Sequence, residues 1–229
     1  MVEVTVEGGV ARIFLNRPQK VNALDSAVLN ELSSSLERLL PDATLRVVVL
    51  AGRGRAFCGG ADVNELKSLD ALTAPAFVTR IHRVCSAIRS LPVPVVAQLH
   101  GAVIGAGLEI AASCDLRIAA EGTKFAMPEV RLAIPSVVEA ALLPRLVGSG
   151  RAAWLVLTGE AIDARRAYEW GLVEEIGGED GVQRLVQSLL VADREALRMQ
   201  KQLLQLWDEA PLATSVAASI ERFAQAHSR

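Results

Sequence analysis

Residues 93–109 have the sequence VPVVAQLHGAVIGAGLE. This stretch joins an apolar run, a cluster of glycines and the start of a segment rich in small residues. The run Val93–Leu99 is typical of a buried β-strand, and Ala106–Ser113 of a short helix. Because glycine permits sharp changes of chain direction, Gly101–Gly107 predicts a tight turn between them. The stretch therefore predicts a strand-turn-helix unit.

The same plan occurs earlier in the chain. The run Leu45–Leu50 is apolar apart from Arg46 and predicts another buried strand. A glycine-rich turn follows it over Gly52–Gly60, and Asp62–Glu65 has the pattern of a helix start with its own capping pair. A strand-turn-helix unit used twice predicts an α/β fold in which helices pack on strands.

Hydrophobic periodicity predicts the remaining elements. Val2–Val6 and Val10–Leu15 flank two glycines and predict a β-hairpin, and Asp25 or Ser26 is suited to cap the helix that follows. Helices are predicted over 26–40, 74–91, 136–146, 151–158, 182–190, 194–207 and 212–226, and short strands over 115–120 and 123–126. Strands thus occupy the first half of the chain and helices the second.

The composition excludes several classes of protein. Apolar residues make up 51% of the 229 residues and the net charge is −2, so a mainly electrostatic grip on nucleic acid or an anionic membrane is not expected. Three cysteines match no common zinc spacing and predict neither a disulfide framework nor a metal site, which fits a cytoplasmic compartment. The N-terminus shows no secretory signal. Polar residues and prolines interrupt the most apolar stretch, Leu91–Cys114, so it predicts a buried strand and helix and not a membrane span.

Both glycine turns lead into predicted helix starts, where backbone N–H groups have no partner within the helix and the dipole favours negative charge. If the turns converge, the N–H groups of Ala61 and Ala106 could bind one carbonyl oxygen and stabilise the charge that develops on it. The alternative is that the glycines only permit tight corners.

Three glutamates lie in otherwise apolar segments. Glu109 falls in the first turn of its helix, where it could also serve only to complement the helix dipole. Glu129 follows Phe125–Pro128, so its carboxylate is suited to proton transfer, although an exposed loop acid is the alternative. Ser136 and Glu139 have the spacing of a capping box, which predicts a structural role for Glu139.

Other catalytic motifs are missing from the sequence. The glycines of Gly101–Gly107 do not have dinucleotide-binding spacing, and the chain contains no Walker motif. No serine elbow occurs, and His82, His100 and His227 are not placed like the base of a catalytic triad.

Seven segments, taken together and in order, resemble the crotonase superfamily, which includes enoyl-CoA hydratases and isomerases. They are Asn16–Leu24, Arg55–Asp62, His100–Glu109, Phe125–Arg131, Leu143–Gly148, Leu157–Gly159 and Ala167–Val173. The resemblance covers nearly the whole chain and implies a spiral of strand-strand-helix repeats closed by helices. It implies a single domain over residues 1–229, with the spiral core at 1–160 and a helical part at 161–229.

The resemblance also implies a substrate and a site. The substrate would be an acyl-coenzyme A thioester, and the protein would hold no permanently bound cofactor and no metal. The chain would assemble as a homotrimer or hexamer. Ala61 and Ala106 would supply the oxyanion N–H groups. Residues along the nucleotide and pantetheine of the coenzyme would be Lys20, Val21, Arg55 and Gly59.

Glu109 and Glu129 match the two glutamates of the family's hydratases, which implies hydration of a 2-enoyl-CoA. Glu109 would activate water for attack at the β-carbon, and Glu129 would deliver a proton to the α-carbon. An isomerase, which can work with the acid at Glu129 alone, is an alternative, as are a decarboxylase and a thioester hydrolase. A non-catalytic binding protein that retains the fold, with a local basic cluster at Arg80, Arg83 and Arg89, is an alternative of another class.

The sequence departs from the family pattern at four places. Ala106 stands where many relatives have glycine, and the segment between Glu129 and Pro135 is one residue shorter. Residues 136–139 replace a glycine-rich segment beside the acyl pocket, so we expect a different acyl preference. The family's last helical turns would extend beyond Arg229.

Overall fold

The computed structural model describes residues 1–228 and contains a large and a small β-sheet. The strands are β1 (Val2–Glu7), β2 (Val10–Leu15), β3 (Val47–Gly52), β4 (Val95–Leu99), β5 (Ala102–Ile104), β6 (Leu116–Ala119), β7 (Lys124–Ala126), β8 (Ile162–Asp163) and β9 (Glu175–Ile176). The large sheet has the order β1-β2-β3-β4-β6-β9, and the small sheet the order β5-β7-β8. Within the large sheet only β1 and β2 pair antiparallel, as the predicted hairpin.

Helices surround the sheets and fill the C-terminal part of the described chain. They are α1 (Ser26–Leu39), α2 (Val63–Ser68), α3 (Ala74–Ser90), α4 (Ala106–Ser113), α5 (Leu143–Val147), α6 (Ser149–Thr158), α7 (Ala164–Trp170), α8 (Gly178–Val191), α9 (Arg194–Glu209) and α10 (Leu212–Ala226). Short 3₁₀ helices cover Pro18–Lys20, Glu129–Leu132 and Val138–Leu142. We call the last two the Glu129 turn and the Glu139 turn.

The centre of the large sheet is buried on both faces, which explains the continuous apolar run of β3. Side chains alternate between the two faces of a strand. Val48 and Leu50 pack in the main core with α1 and α3, whereas Val47 and Val49 pack against Val182 of α8 and its neighbours. A parallel strand covered on both sides must be apolar at every position.

The two strand-turn-helix units are confirmed, and their turns are hydrogen bonded to each other. The Cys58 N–H donates to the Ala102 carbonyl (3.0 Å), and the Ile104 N–H donates to the Cys58 carbonyl (3.0 Å). The second turn contains strand β5, which the glycine pattern did not predict and which pairs with β7. The first turn is therefore held against β5 beside the start of α4.

Two of the predicted helix caps are present. Asp25 caps α1 by accepting the Val28 N–H (2.9 Å), and Asp62 caps α2 by accepting the Asn64 N–H (2.9 Å). Glu65 does not complete a capping pair with Asp62, because its carboxylate accepts the backbone N–H of Ser26. Helix α2 is thereby tied to the start of α1.

The predicted helix over residues 136–146 is wrong. The chain forms the Glu139 turn and then the separate helix α5, which has Pro144 in its first turn. Val138 has a φ of 40°, outside the right-handed helical region, so the helix cannot run through this residue. The short strands β8 and β9 and helix α7 were not predicted as separate elements.

None of the helices described over residues 1–228 is long and apolar enough to span a membrane.

Candidate active site

The first oxyanion candidate, Ala61, forms an isolated parallel bridge with Leu24. The Leu24 N–H donates to the Gly60 carbonyl (2.8 Å), and the Asp62 N–H donates to the Leu24 carbonyl (2.9 Å). Leu24 thus bonds the residues on either side of Ala61. In parallel pairing this leaves the N–H of Ala61 itself directed away from Leu24.

The second candidate, Ala106, is the first residue of α4. Gly105 precedes it with a φ of 51°, and the Gly105 carbonyl accepts the N–H groups of Leu108 (2.7 Å) and Glu109 (3.0 Å). The N–H of Ala106 lies before this hydrogen-bond ladder, at the positive end of the helix dipole. This N–H is therefore suited to stabilise a negatively charged oxygen.

Both turns line one cavity of about 200 Å³, and both glutamates line it too. Its walls include Gly59, Gly60, Ala61, Gly105, Ala106, Glu109 and Glu129, together with apolar residues such as Leu66, Phe77, Ile81 and Leu132. The close packing of the turns requires glycine at position 60. A side chain there would approach the Ile104 carbonyl to 2.8 Å.

Glu109 is a buried acid on α4. Glu109 is only 4% exposed, and its Oε1 accepts a hydrogen bond from the N–H of Ala140 (3.1 Å). The pKa of Glu109 is raised to about 8, chiefly by burial; the charges of Glu129 and Glu139 also raise it, and the hydrogen bond from the Ala140 N–H lowers it. A carboxyl group with such a pKa can take up or release a proton near neutral pH.

Glu129 is the first residue of the Glu129 turn, which follows β7, and it is half-buried. Its Oε2 accepts a hydrogen bond from the Ser136 hydroxyl (2.9 Å). Its carboxylate lies against Gly105, where a side chain would collide with it. The structure therefore places Glu129 beside the turn that carries the Ala106 N–H.

Glu139 is not part of a capping box, so that interpretation is wrong. Ser136 donates to Glu129, and the Oε1 of Glu139 lies 2.7 Å from Nδ1 of His82, on α3. The two residues are 57 positions apart in the chain. Sequence spacing revealed neither contact, because one depends on how the Glu129 turn packs against Ser136 and the other on how α3 packs on the Glu139 turn.

The predicted coenzyme-binding residues lie on two neighbouring loops. The Gly59 N–H donates to the Val21 carbonyl (2.8 Å), so these residues are in direct contact at the edge of the cavity. Lys20 and Arg55, on the same loops, are exposed. Gly59 lines the cavity and Val21 is hydrogen bonded to it, and contact of all four residues with a coenzyme stays a prediction.

Sequence reasoning missed the role of Asn22, which is 1% exposed. Its amide nitrogen donates to the carbonyls of Arg53 (2.9 Å), Ala56 (2.8 Å) and Phe57 (3.1 Å). These bonds hold the first glycine turn in shape. Asn22 lies within the segment Asn16–Leu24, which carries part of the family resemblance. Its role, however, follows only from its contacts with the first glycine turn in the folded chain.

Residues 5–229 match the sequence model of the enoyl-CoA hydratase/isomerase family. The chain belongs to this family. The protein YngF of Bacillus subtilis is 36% identical over 222 residues, which cover 94% of this chain and 85% of that protein. The short-chain-enoyl-CoA hydratase of Clostridium acetobutylicum is 32% identical over 228 residues, which cover 97% of this chain and 87% of that protein.

Solved structures of this family have the same fold. The enoyl-CoA hydratase from Bacillus anthracis superposes with a TM-score of 0.93 at 32% identity, covering 97% of this chain and 89% of that one. The predicted α/β fold with a C-terminal helical region, and the resemblance on which the prediction rested, are confirmed.

Proposed function

We propose that this family member is an enoyl-CoA hydratase, which adds water across the double bond of a 2-enoyl-CoA thioester. The observation that carries the proposal is that Glu109 and Glu129 line the same cavity as the two glycine turns. Addition of water needs two proton-handling groups and a site for a charged thioester oxygen, and these residues match that requirement.

The N–H groups of Ala61 and Ala106 bind the thioester oxygen. As water attacks the β-carbon, the double bond shifts and this oxygen acquires the charge of an enolate. Fixed N–H donors stabilise such charge most where it is largest, so they lower the barrier more than they tighten substrate binding.

Glu109 takes a proton from the attacking water, and the oxygen of that water bonds to the β-carbon. Glu129 donates a proton to the α-carbon as the enolate collapses. The product then contains one added water, Glu109 holds a proton and Glu129 is ionised. One proton transfer between the two acids, through solvent, restores the starting state.

The coenzyme part of the substrate lies along Lys20, Val21, Arg55 and Gly59, and it is carried by the substrate and not held by the protein as a cofactor. Two of these residues are exposed cations, which suit the phosphates of the nucleotide. All three cysteines are free thiols, which supports a reducing, cytoplasmic compartment.

A homotrimer or hexamer is the assembly we propose. Helix α10 presents the large apolar residues Leu212, Val216, Ile220 and Phe223, which are between 49% and 80% exposed. An apolar face of this kind favours a partner surface. Light scattering that shows only monomer at micromolar concentration contradicts this proposal.

Mass spectrometry of the reaction products tests the activity. The protein is incubated with 2-enoyl-CoA thioesters of short and medium chain length, and we expect the mass of one water to be gained for at least one of them. A shift of the double bond in 3-enoyl-CoA without any hydration of 2-enoyl-CoA contradicts the proposal and indicates an isomerase.

A further inference from the structure

His82 and Glu139 form a pair beside the candidate active site. Nδ1 of His82 lies 2.7 Å from Oε1 of Glu139, which is 8% exposed, whereas the His82 side chain is 57% exposed. The second oxygen of Glu139, Oε2, is buried and has no hydrogen-bond partner among residues 1–228. The buried carboxylate therefore depends on His82 for compensation.

The residue after Glu139 contacts the buried acid of the site. The N–H of Ala140 donates to Oε1 of Glu109 (3.1 Å) and to the carbonyl of Val137 (3.0 Å). Val138, one residue before Glu139, has a φ of 40°, which is strained for a β-branched residue. A strained backbone persists only where surrounding contacts hold it, and the His82–Glu139 pair is such a contact.

We propose that the His82–Glu139 pair is a clamp that positions Glu109 by holding the Ala140 N–H against its carboxylate. The clamp joins α3, which carries His82, to α4, which carries Glu109, through the Glu139 turn. His82 and Glu139 are positioning residues in this account. The proposal rests on the proposed function only where it concerns turnover.

The Ala140 N–H and the charge of Glu139 act on the pKa of Glu109 in opposite directions. The Ala140 N–H that the clamp holds in place stabilises the ionised form of Glu109, and the charge of Glu139 destabilises it. The other titratable groups that face Glu109 are Glu129, from the Glu129 turn, and Cys85, from α3, whose thiol pKa burial raises well above its ordinary value. Cys85 is therefore neutral near pH 7.

Titration of Glu109 in the full chain without substrate separates these effects. Carbon-13 NMR of glutamate-labelled protein follows its carboxyl group, which is assigned from its absence in Glu109→Gln. We expect His82→Ala to raise the pKa of Glu109, because the Ala140 N–H moves away. We expect Glu139→Gln to lower it, because the repulsive charge is removed while the amide oxygen still accepts from His82. The exposed neighbour Arg83, also on α3, gives a matched control, Arg83→Ala, which should leave the titration unchanged.

Turnover of a 2-enoyl-CoA gives a second measurement. His82→Ala should lower kcat about 10-fold with little change in KM, since a small misplacement of a reacting group is costly. His82→Asn places an amide nitrogen near the position of Nδ1 and should restore most of kcat. The variants His82→Asn and Glu139→Gln remain informative if His82→Ala folds poorly.

The clamp is refuted if both His82→Ala and Glu139→Gln move the pKa of Glu109 in the same direction, or if His82→Ala changes neither that pKa nor kcat. An effect of Arg83→Ala as large as that of His82→Ala equally overturns it. A wild-type protein that does not turn over any 2-enoyl-CoA contradicts the proposed function, while the titration still decides on the clamp.

Discussion

The carboxylate of Glu129 occupies the space that a side chain at position 105 would fill. Gly105 adopts a φ of 51° and is the residue immediately before α4, the helix that carries Ala106 and Glu109. One glycine thus fixes the start of that helix and leaves room for the second acid. The oxyanion turn and the proton-transfer group are built against each other.

Gly105→Ala should lower kcat by about 10²-fold, because the new methyl group overlaps the Glu129 carboxylate and pushes it out of position for proton transfer. Gly178 provides a matched control, since its φ is 52° and an added methyl group there would meet open space. Both substitutions place a side chain at a positive φ that favours glycine, so both should lower the melting temperature. Comparable kcat for the two variants would contradict the close approach of Glu129 to Gly105.

The activity should depend on pH through Glu109. The pKa of this group is raised to about 8, chiefly by burial, and it must be ionised to take a proton from water. We therefore expect kcat/KM to rise as pH increases towards about 8. Measuring kcat/KM from pH 5 to 10 checks this. A rate that is flat across this interval, with chemistry rate-limiting, would show that Glu109 is not the base.

The same group should make stability depend on pH with a known sign. The folded protein holds the Glu109 proton more tightly than the unfolded chain, in which the pKa is near its ordinary value of 4.5. The contribution of Glu109 to the free energy of unfolding is therefore greatest below that value and is lost as pH rises through about 8. Glu109→Gln, which cannot ionise, should be more stable than the wild type at pH 9 by about 2 kcal/mol and closely similar at pH 4. Urea unfolding at the two pH values measures the difference, and equal effects at both would contradict the burial of an ionising group.

Asn22→Ala should destabilise the first glycine turn. It removes the donor for three carbonyl oxygens, those of Arg53, Ala56 and Phe57. Leaving such groups without a partner costs about 1–3 kcal/mol. We expect a loss of that size in the free energy of unfolding and a higher KM, because the turn carries Arg55 and Gly59. Asn30→Ala, at an exposed position of α1, is the control and should change neither quantity.

Much of the site could be predicted from local sequence because its parts lie on short, regular elements. The bounds of α4 follow from the glycine turn and the apolar run after it, and they are correct. The convergence of Ala61 and Ala106 on one cavity needed one further assumption, that the two turns meet. The bonds between Cys58 and β5 now explain that meeting.

The segment around Glu139 could not be predicted in the same way. Ser136 and Glu139 have the spacing of a capping box, yet they bond to Glu129 and to His82. Both partners reach this segment only through packing of α3 and of the Glu129 turn. Strand β5 was missed for a related reason, since three residues among glycines become a strand only by pairing with β7.

Substitution of the two glutamates tests the central claim, that both acids take part in adding water to a 2-enoyl-CoA. Glu109→Gln and Glu129→Gln keep the size of each side chain and remove its ability to exchange a proton. The measurement is kcat of each variant with a 2-enoyl-CoA and with a 3-enoyl-CoA, and Glu121→Gln, at an exposed position, is the control.

We predict that each substitution lowers kcat for hydration by about 10²-fold or more, with little change in KM. Full activity of Glu109→Gln on the 3-enoyl-CoA, with loss of activity in Glu129→Gln, would instead indicate an isomerase that uses one acid. Full activity of Glu129→Gln on both substrates would contradict the active site itself.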